Sequence, residues 1–200
     1  MVTIMARCDL FQYSLFVLIA LLLISVYFNL KQRRAIKQSE KNESLLVKKA
    51  YFNPITELPN RSNIDIVISE QICRAARHKK SFLVAVIRVI NYHDIKLRSK
   101  ERAEELIVEV SDRILDSIRN EDTLSHITEN GFLIVFNEYL EEENSDILFN
   151  RINNAFKEKF QHDKGTLEIK IAIGKSKYPD NATQAKGLIN EATRQALNSK

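Results

Sequence analysis

From Leu10 to Leu30 the chain carries no charged residue, and the stretch Leu15-Phe-Val-Leu-Ile-Ala-Leu-Leu-Leu-Ile-Ser-Val26 is almost wholly aliphatic. At about 1.5 Å rise per residue, a helix over such a run is long enough to cross a hydrocarbon core of roughly 30 Å. A cleavable signal would have an apolar region of about 7 to 15 residues followed by small side chains. Here the run is longer and ends in Tyr27-Phe-Asn-Leu30, so the expectation is an uncleaved transmembrane helix over 10–30. Arg7 is the single basic residue before it, whereas Lys31, Arg33, Arg34, Lys37 and Lys41 follow it. The excess of cations after the run places the C-terminal part in the cytoplasm, beneath a cell inner membrane, and leaves 1–9 as a short extracytoplasmic tail.

Residues 31–50 are polar, rich in Lys, Gln and Glu, and free of Gly and Pro, which favours a helical linker continuing from the span. Ile36, Leu45, Leu46, Val47 and Ala50 are too sparse for a sustained heptad. A solvated stalk is the expectation, with a short parallel coiled coil, and hence a homodimer, as the alternative. Lys+Arg exceed Asp+Glu by 30 to 26, and much of that basic character sits in this linker, as suits a membrane flank. No stretch interleaves basic and aromatic residues for base stacking, so no nucleic-acid partner is expected. Cys8 and Cys73 share no metal or redox spacing, and His78, His93, His126 and His162 form no paired motif, so no metal site is expected from them.

Beyond residue 50 the periodicity of a folded domain begins. Ser62 to His78 places Ile64, Val67, Ile68, Ile72 and Ala75 on one helical face, and Ser81-Phe-Leu-Val-Ala-Val-Ile87 is a continuous β-branched run that predicts a buried strand. A helix follows over 103–118, a strand over 131–136, a helix over 145–160, a strand over 167–173 and a helix over 188–197. Domain 51–200 is thus of the α/β (α+β) class.

Two stretches give the domain a more specific character. Asn53-Pro-Ile-Thr-Glu-Leu-Pro-Asn-Arg61 is similar to the motif D-x-L-T-G-L-P-N-R that opens GGDEF domains. Ala172-Ile-Gly174, Tyr178-Pro179, Ala192 and Lys200 follow that family's closing stretches in order. The resemblance covers 51–200 and implies a palm-like fold, a central mixed or antiparallel sheet flanked by helices, here preceded by one transmembrane helix.

The family's activity is that of a diguanylate cyclase, which joins two GTP molecules by attack of a ribose hydroxyl on an α-phosphate, with metal ions neutralising the phosphates. The resemblance implies a metal-binding Asp at the end of the first strand and an acidic pair in a Gly-Gly-Asp-Glu-Phe hairpin. In this chain the strand ends Val86-Ile87-Arg88, and the hairpin reads Thr128-Glu129-Asn130-Gly131-Phe132. A guanidinium about 4 Å from a divalent ion repels it by several kcal/mol even at an effective dielectric of roughly 20. The guanine-reading motif F-K-x-I-N-D becomes Tyr92-His-Asp-Ile-Lys-Leu97, and only Glu104 stands in for a later Asp. Arg88, His93, Glu104, Thr128, Glu129, Asn130, Gly131 and Lys200 are therefore read as positions of a degenerate active site, with no catalytic residue, no metal and no Mg²⁺ cofactor expected.

Arg119-Asn-Glu-Asp122, six residues upstream of Thr128 counted from Asp122, matches the family's R-x-x-D inhibitory site, where the two side chains bind the guanine edges of cyclic di-GMP. The expectation is a membrane signalling protein without catalysis. It would act as a cyclic di-GMP receptor through Arg119 and Asp122, as a partner of other signalling proteins such as active cyclases or phosphodiesterases, or as both. Two alternatives stand beside it: a divergent nucleotide-binding enzyme, with Arg88, His93 and Lys200 forming a metal-free phosphate site, and a structural membrane adaptor that binds no nucleotide.

Overall fold

Phe82–Val89 forms the central strand β1, and its side chains are buried on both faces of a sheet because helices cover each side. The computed structural model describes the backbone of residues 2–137, 142–162 and 165–199; the side chains of residues 2–21, 23, 24, 26, 35, 142–145 and 162 lie outside that description. The chain divides into two units, residues 1–48 and 49–200. The first is a single continuous helix, α1 (Val2–Tyr51), which runs on into the second. The expected span at 10–30 lies within α1, and most of its side chains are outside the described set. Among the described residues, no helix is long and apolar enough to cross a membrane.

In the second unit the order is α2 (Arg61–His78), β1, α3 (Tyr92–Arg98), α4 (Lys100–Ser117), β2 (Thr123–Thr128) and β3 (Gly131–Val135). It continues with α5 (Glu142–Ala155), β4 (Phe160–His162), β5 (Gly165–Leu167), β6 (Ile171–Tyr178) and α6 (Ala185–Asn198). Four strands form an antiparallel sheet in the order β2-β3-β1-β6, and β4 pairs with β5 in a separate small hairpin. Phe82, Val84 and Val86 join Leu133 and Val135 beneath α2 and α6. Ala85, Ile87 and Val89 join Phe132 and Ile134 beneath α3, α4 and α5. The fold is the α/β arrangement the sequence suggests, with every pairing in the sheet antiparallel.

Several boundaries differ from the periodicity. The last sheet strand is Ile171–Tyr178 rather than 167–173, because the inward positions between Ala172 and Tyr178 are Gly174 and Ser176, which carry no apolar signal. A Cβ on Gly174 would collide with the backbone of Ala192 and Ala196, so bare backbone is what lets α6 lie this close to the strand. Leu167 belongs to the β4–β5 hairpin instead, and the helix expected to reach residue 160 stops at Ala155, freeing Phe160 for that hairpin. The helix expected from 103 starts at Lys100, where the Ser99 hydroxyl accepts from the Arg102 N–H and caps it.

Candidate functional site

The segment 52–60 is fastened to the outer edge of β2. Phe52 and Pro59 form an isolated bridge, and the His126 backbone N–H donates to the Pro59 carbonyl at 2.9 Å. Within the loop the Asn53 side-chain oxygen accepts from the N–H groups of Ile55 (2.8 Å) and Thr56 (3.2 Å), an Asx turn that replaces a missing backbone partner. Asn60 caps α2 by accepting from Ser62 and Asn63 and donates its own amide to the Ala50 carbonyl at 2.8 Å. These roles give Asn53, Asn60 and Pro59 a structural reason to stand where the sequence has them.

Between this loop, α3, the start of α4 and the β2–β3 hairpin lies a cleft of about 450 Å³. Its walls include Tyr92, Lys96, Lys100, Glu104, His126 and Glu129. The Lys96 ammonium donates to both carboxylate oxygens of Glu129, at 2.7 and 2.8 Å, and this contact holds the lysine pKa above and the glutamate pKa below their ordinary values. Lys100 and Glu104 stand 3.5 Å apart along α4. Burial raises the Tyr92 phenol pKa, with Lys96 opposing. His126 is 2% exposed, stacks on Phe132 at 4.7 Å and has its Nδ1 3.2 Å from the Thr56 hydroxyl, while its Nε2 is buried. Burial pushes its pKa down, and the backbone at Glu129 and Thr128 opposes that shift.

Beside the cleft, Arg88 ends β1 opposite Gly131 on β3 and Ala172 on β6. Thr128 packs over Gly131, so a side chain at 128 fills the space that the glycine leaves open. Asn130 donates its amide to the Val89 carbonyl and accepts the Val89 N–H on its own backbone, both at 2.9 Å, which pins the hairpin turn to the strand end. The partner of Glu129 is Lys96, which follows the buried Ile95 on α3. His93 is exposed and near enough to help lower the Glu129 pKa. Lys200 lies outside the described residues.

These groups suit a divalent cation poorly. The strand end presents a guanidinium, the facing hairpin positions present an amide already spent on Val89 and a glycine, the hairpin carboxylate Glu129 is neutralised by Lys96, and Glu104 pairs with Lys100. Among the described residues, no three His, Cys, Asp or Glu side chains are grouped to hold a metal ion.

Arg119 and Asp122 share a turn between α4 and β2, where the carboxylate of one meets the backbone of the other. The Asp122 carboxylate accepts from the Arg119 N–H (3.1 Å) and from the Asn137 N–H (3.3 Å). Asn137 also donates to Thr123 Oγ1 and the Glu121 carbonyl, and its own carbonyl accepts from the buried Gln71 of α2 at 3.2 Å. The Arg119 guanidinium is about half exposed and 3.8 Å from Glu121. Burial raises the Asp122 pKa, partly offset by the two backbone donors.

Of the degenerate positions, the cleft gathers Glu104, Thr128 and Glu129; Arg88, His93, Asn130 and Gly131 do not line it. Sequence reasoning missed Tyr92, Lys96, Lys100 and His126 as wall residues. The signal for Lys96 was present, since it stands at the Asn position of F-K-x-I-N-D. His126 gave none, because a lone histidine in a polar strand has no pattern.

The family described as "Diguanylate cyclase, GGDEF domain" matches residues 50–200. The chain belongs to the GGDEF family. It is 24% identical over 147 residues to the bifunctional diguanylate cyclase/cyclic di-GMP phosphodiesterase MucR of Pseudomonas aeruginosa, covering 72% of this chain but only 21% of MucR. The chain therefore spans about a fifth of the length of that curated relative. Among solved structures, the coiled coil and GGDEF domain of DgcB from Caulobacter crescentus, in complex with c-di-GMP, superposes with TM-score 0.72 at 11% identity, over 84% of this chain and 90% of that one. Diguanylate cyclase SiaD, in complex with its activator SiaC from Pseudomonas aeruginosa, gives 0.69 at 17% identity, over 98% and 75%. At these identities the structural likeness is one of fold.

Proposed function

We propose that this GGDEF protein does not catalyse cyclic dinucleotide synthesis and works by binding, held at the cytoplasmic face of the inner membrane by the helix over 10–30. Domain 51–200 would receive cyclic di-GMP at Arg119 and Asp122, dock on active cyclases or phosphodiesterases, or do both. The observation that carries the reading is the register of Arg88 against Gly131: where two carboxylates would share a metal ion, a cation faces a residue with no side chain. Binding to c-di-GMP in DgcB and to an activator protein in SiaD shows that the fold serves both modes.

The test uses the full chain in detergent or nanodiscs. With GTP and Mg²⁺ or Mn²⁺, no cyclic di-GMP should accumulate; any turnover that disappears in Arg88→Ala would overturn the noncatalytic reading. In a calorimetric titration, cyclic di-GMP should bind the wild type and fail to bind Arg119→Ala. The engagement of both Asp122 oxygens by backbone N–H groups favours a second reading, an adaptor without nucleotide, and absence of binding in the wild type would select it. Extraction of the chain from membranes by carbonate would rule out the anchor.

A further inference from the structure

We propose that the outward face of α4 docks on the C-terminal part of α1 in a second copy of this chain, so that two copies hold each other by opposite charge. The inference concerns assembly and does not depend on ligand binding at Arg119 and Asp122. On α4, Glu101, Glu105, Glu109, Asp112 and Asp116 stand at i, i+4, i+8, i+11 and i+15, a spacing that puts all five on one side of a helix. Arg33, Lys37, Lys41 and Lys48 of α1 repeat that spacing with the opposite sign, and Ser44 takes the i+11 place. Each stripe runs about 22 Å along its helix. The four cations are exposed, as are all the carboxylates but Glu109, which is half-buried beside Arg113 at 2.7 Å.

The acidic stripe is costly as it stands. Asp116 lies in the last turn of α4, which holds no basic residue, and the negative end of the helix dipole disfavours a carboxylate there. Partial burial, and after it the charges of Glu109 and Asp116, raise the Asp112 pKa. Cations from outside relieve both effects. Beside the stripe lies a groove of about 600 Å³ whose lining includes Pro54, Ile55, Val108 and Phe160, an apolar bed for the methylene stems of Lys and Arg. Exposed Val108 and Leu115 border the acidic stripe, and exposed Leu45 borders the basic one.

A lipid surface accounts for only the near end of the basic stripe. Lys41 and Lys48 stand about 16 and 27 Å beyond Leu30 along the continuous helix, past the roughly 8 Å over which charge acts at physiological salt. Their matched partner in this protein is α4. In a two-fold pair the contact forms twice.

Sedimentation velocity of the full chain in detergent, over a series of NaCl concentrations, is the experiment. The wild type should pair at low salt and dissociate as salt rises. The triple variants Lys37→Glu, Lys41→Glu, Lys48→Glu and Glu105→Lys, Asp112→Lys, Asp116→Lys should each pair at least about tenfold more weakly. An equimolar mixture of the two should regain wild-type pairing, because every stripe then meets its opposite, whereas a contact within one chain gains nothing from mixing. Arg119→Ala should pair like the wild type. A wild type that stays monomeric at low salt, pairing indifferent to salt, or a mixture no stronger than its components overturns the proposal, and the salt series decides it even where a triple variant fails to fold.

Discussion

The Thr56 hydroxyl lies 3.2 Å from His126 Nδ1, and this contact joins the loop that precedes α2 to the edge strand leading into the hairpin. The imidazole is buried, and its pKa is pushed below the ordinary 6.5 by burial, against the opposing backbone at Glu129 and Thr128. A base with a depressed folded pKa stabilises the fold fully above its unfolded value and loses that contribution as pH falls through the folded value. Melting temperature should therefore drop on acidification from pH 7 toward pH 5. His126→Phe keeps the stacking on Phe132 and removes the titrating group, so its melting curve should vary less over the same window. An equally steep dependence in the variant would show that another group is responsible.

Glu57 occupies φ 56°, in the left-handed region, at the place where the D-x-L-T-G-L-P-N-R motif has Gly. A side chain there costs about 1 kcal/mol or somewhat more, of which part is returned by the lower entropy of a non-glycine unfolded chain. Glu57→Gly should stabilise the domain by about 0.5 to 1 kcal/mol, a rise of about 1 to 4 °C for a domain of this size. Differential scanning calorimetry reads it directly, and a lower melting temperature would mean that contacts of the glutamate outweigh its strain.

Much of the architecture was legible because burial writes a strong pattern. The run at 81–87 had to be a strand covered on both faces, and Ile64, Ile68 and Ala75 had to share one helical side. What escaped was polar or small. β2 buries Ser125 and His126, β6 buries Gly174 and Ser176, and α3 turns inward with only Tyr92 and Ile95, so none of them carries the expected periodicity. The site divided the same way. The reversal of charge at Arg88 could be read from one position, whereas the Lys96 to Glu129 contact joins residues 33 apart in sequence and needed the fold.

Arg119 and Asp122 should behave differently when truncated. Arg119 is half exposed, so Arg119→Ala should change stability by no more than about 0.5 kcal/mol. Asp122 accepts two backbone N–H groups and so holds the turn to the end of β3. Asp122→Ala leaves those donors to water or to nothing, at a cost of about 1 to 3 kcal/mol. Urea denaturation of the two variants separates the roles; equal losses would mean that Arg119 also braces the turn.

Gly174→Ala is the substitution that should damage the fold most. A Cβ at this position meets the Ala192 carbonyl and the Ala196 N–H, and neither can rotate away because both belong to the backbone of α6. Overpacking a core typically costs about 1 to 3 kcal/mol when side chains absorb it, and more when backbone must move. The same substitution at Gly131 meets the Thr128 hydroxyl, the end of a side chain that can change rotamer. Gly131→Ala should consequently cost less than Gly174→Ala, and Thr128→Gly should relieve most of what it does cost. Chemical denaturation of the single variants and of the Thr128→Gly, Gly131→Ala pair measures both statements. Additive losses in the pair would show that Thr128 and Gly131 are not the complementary fit their packing indicates.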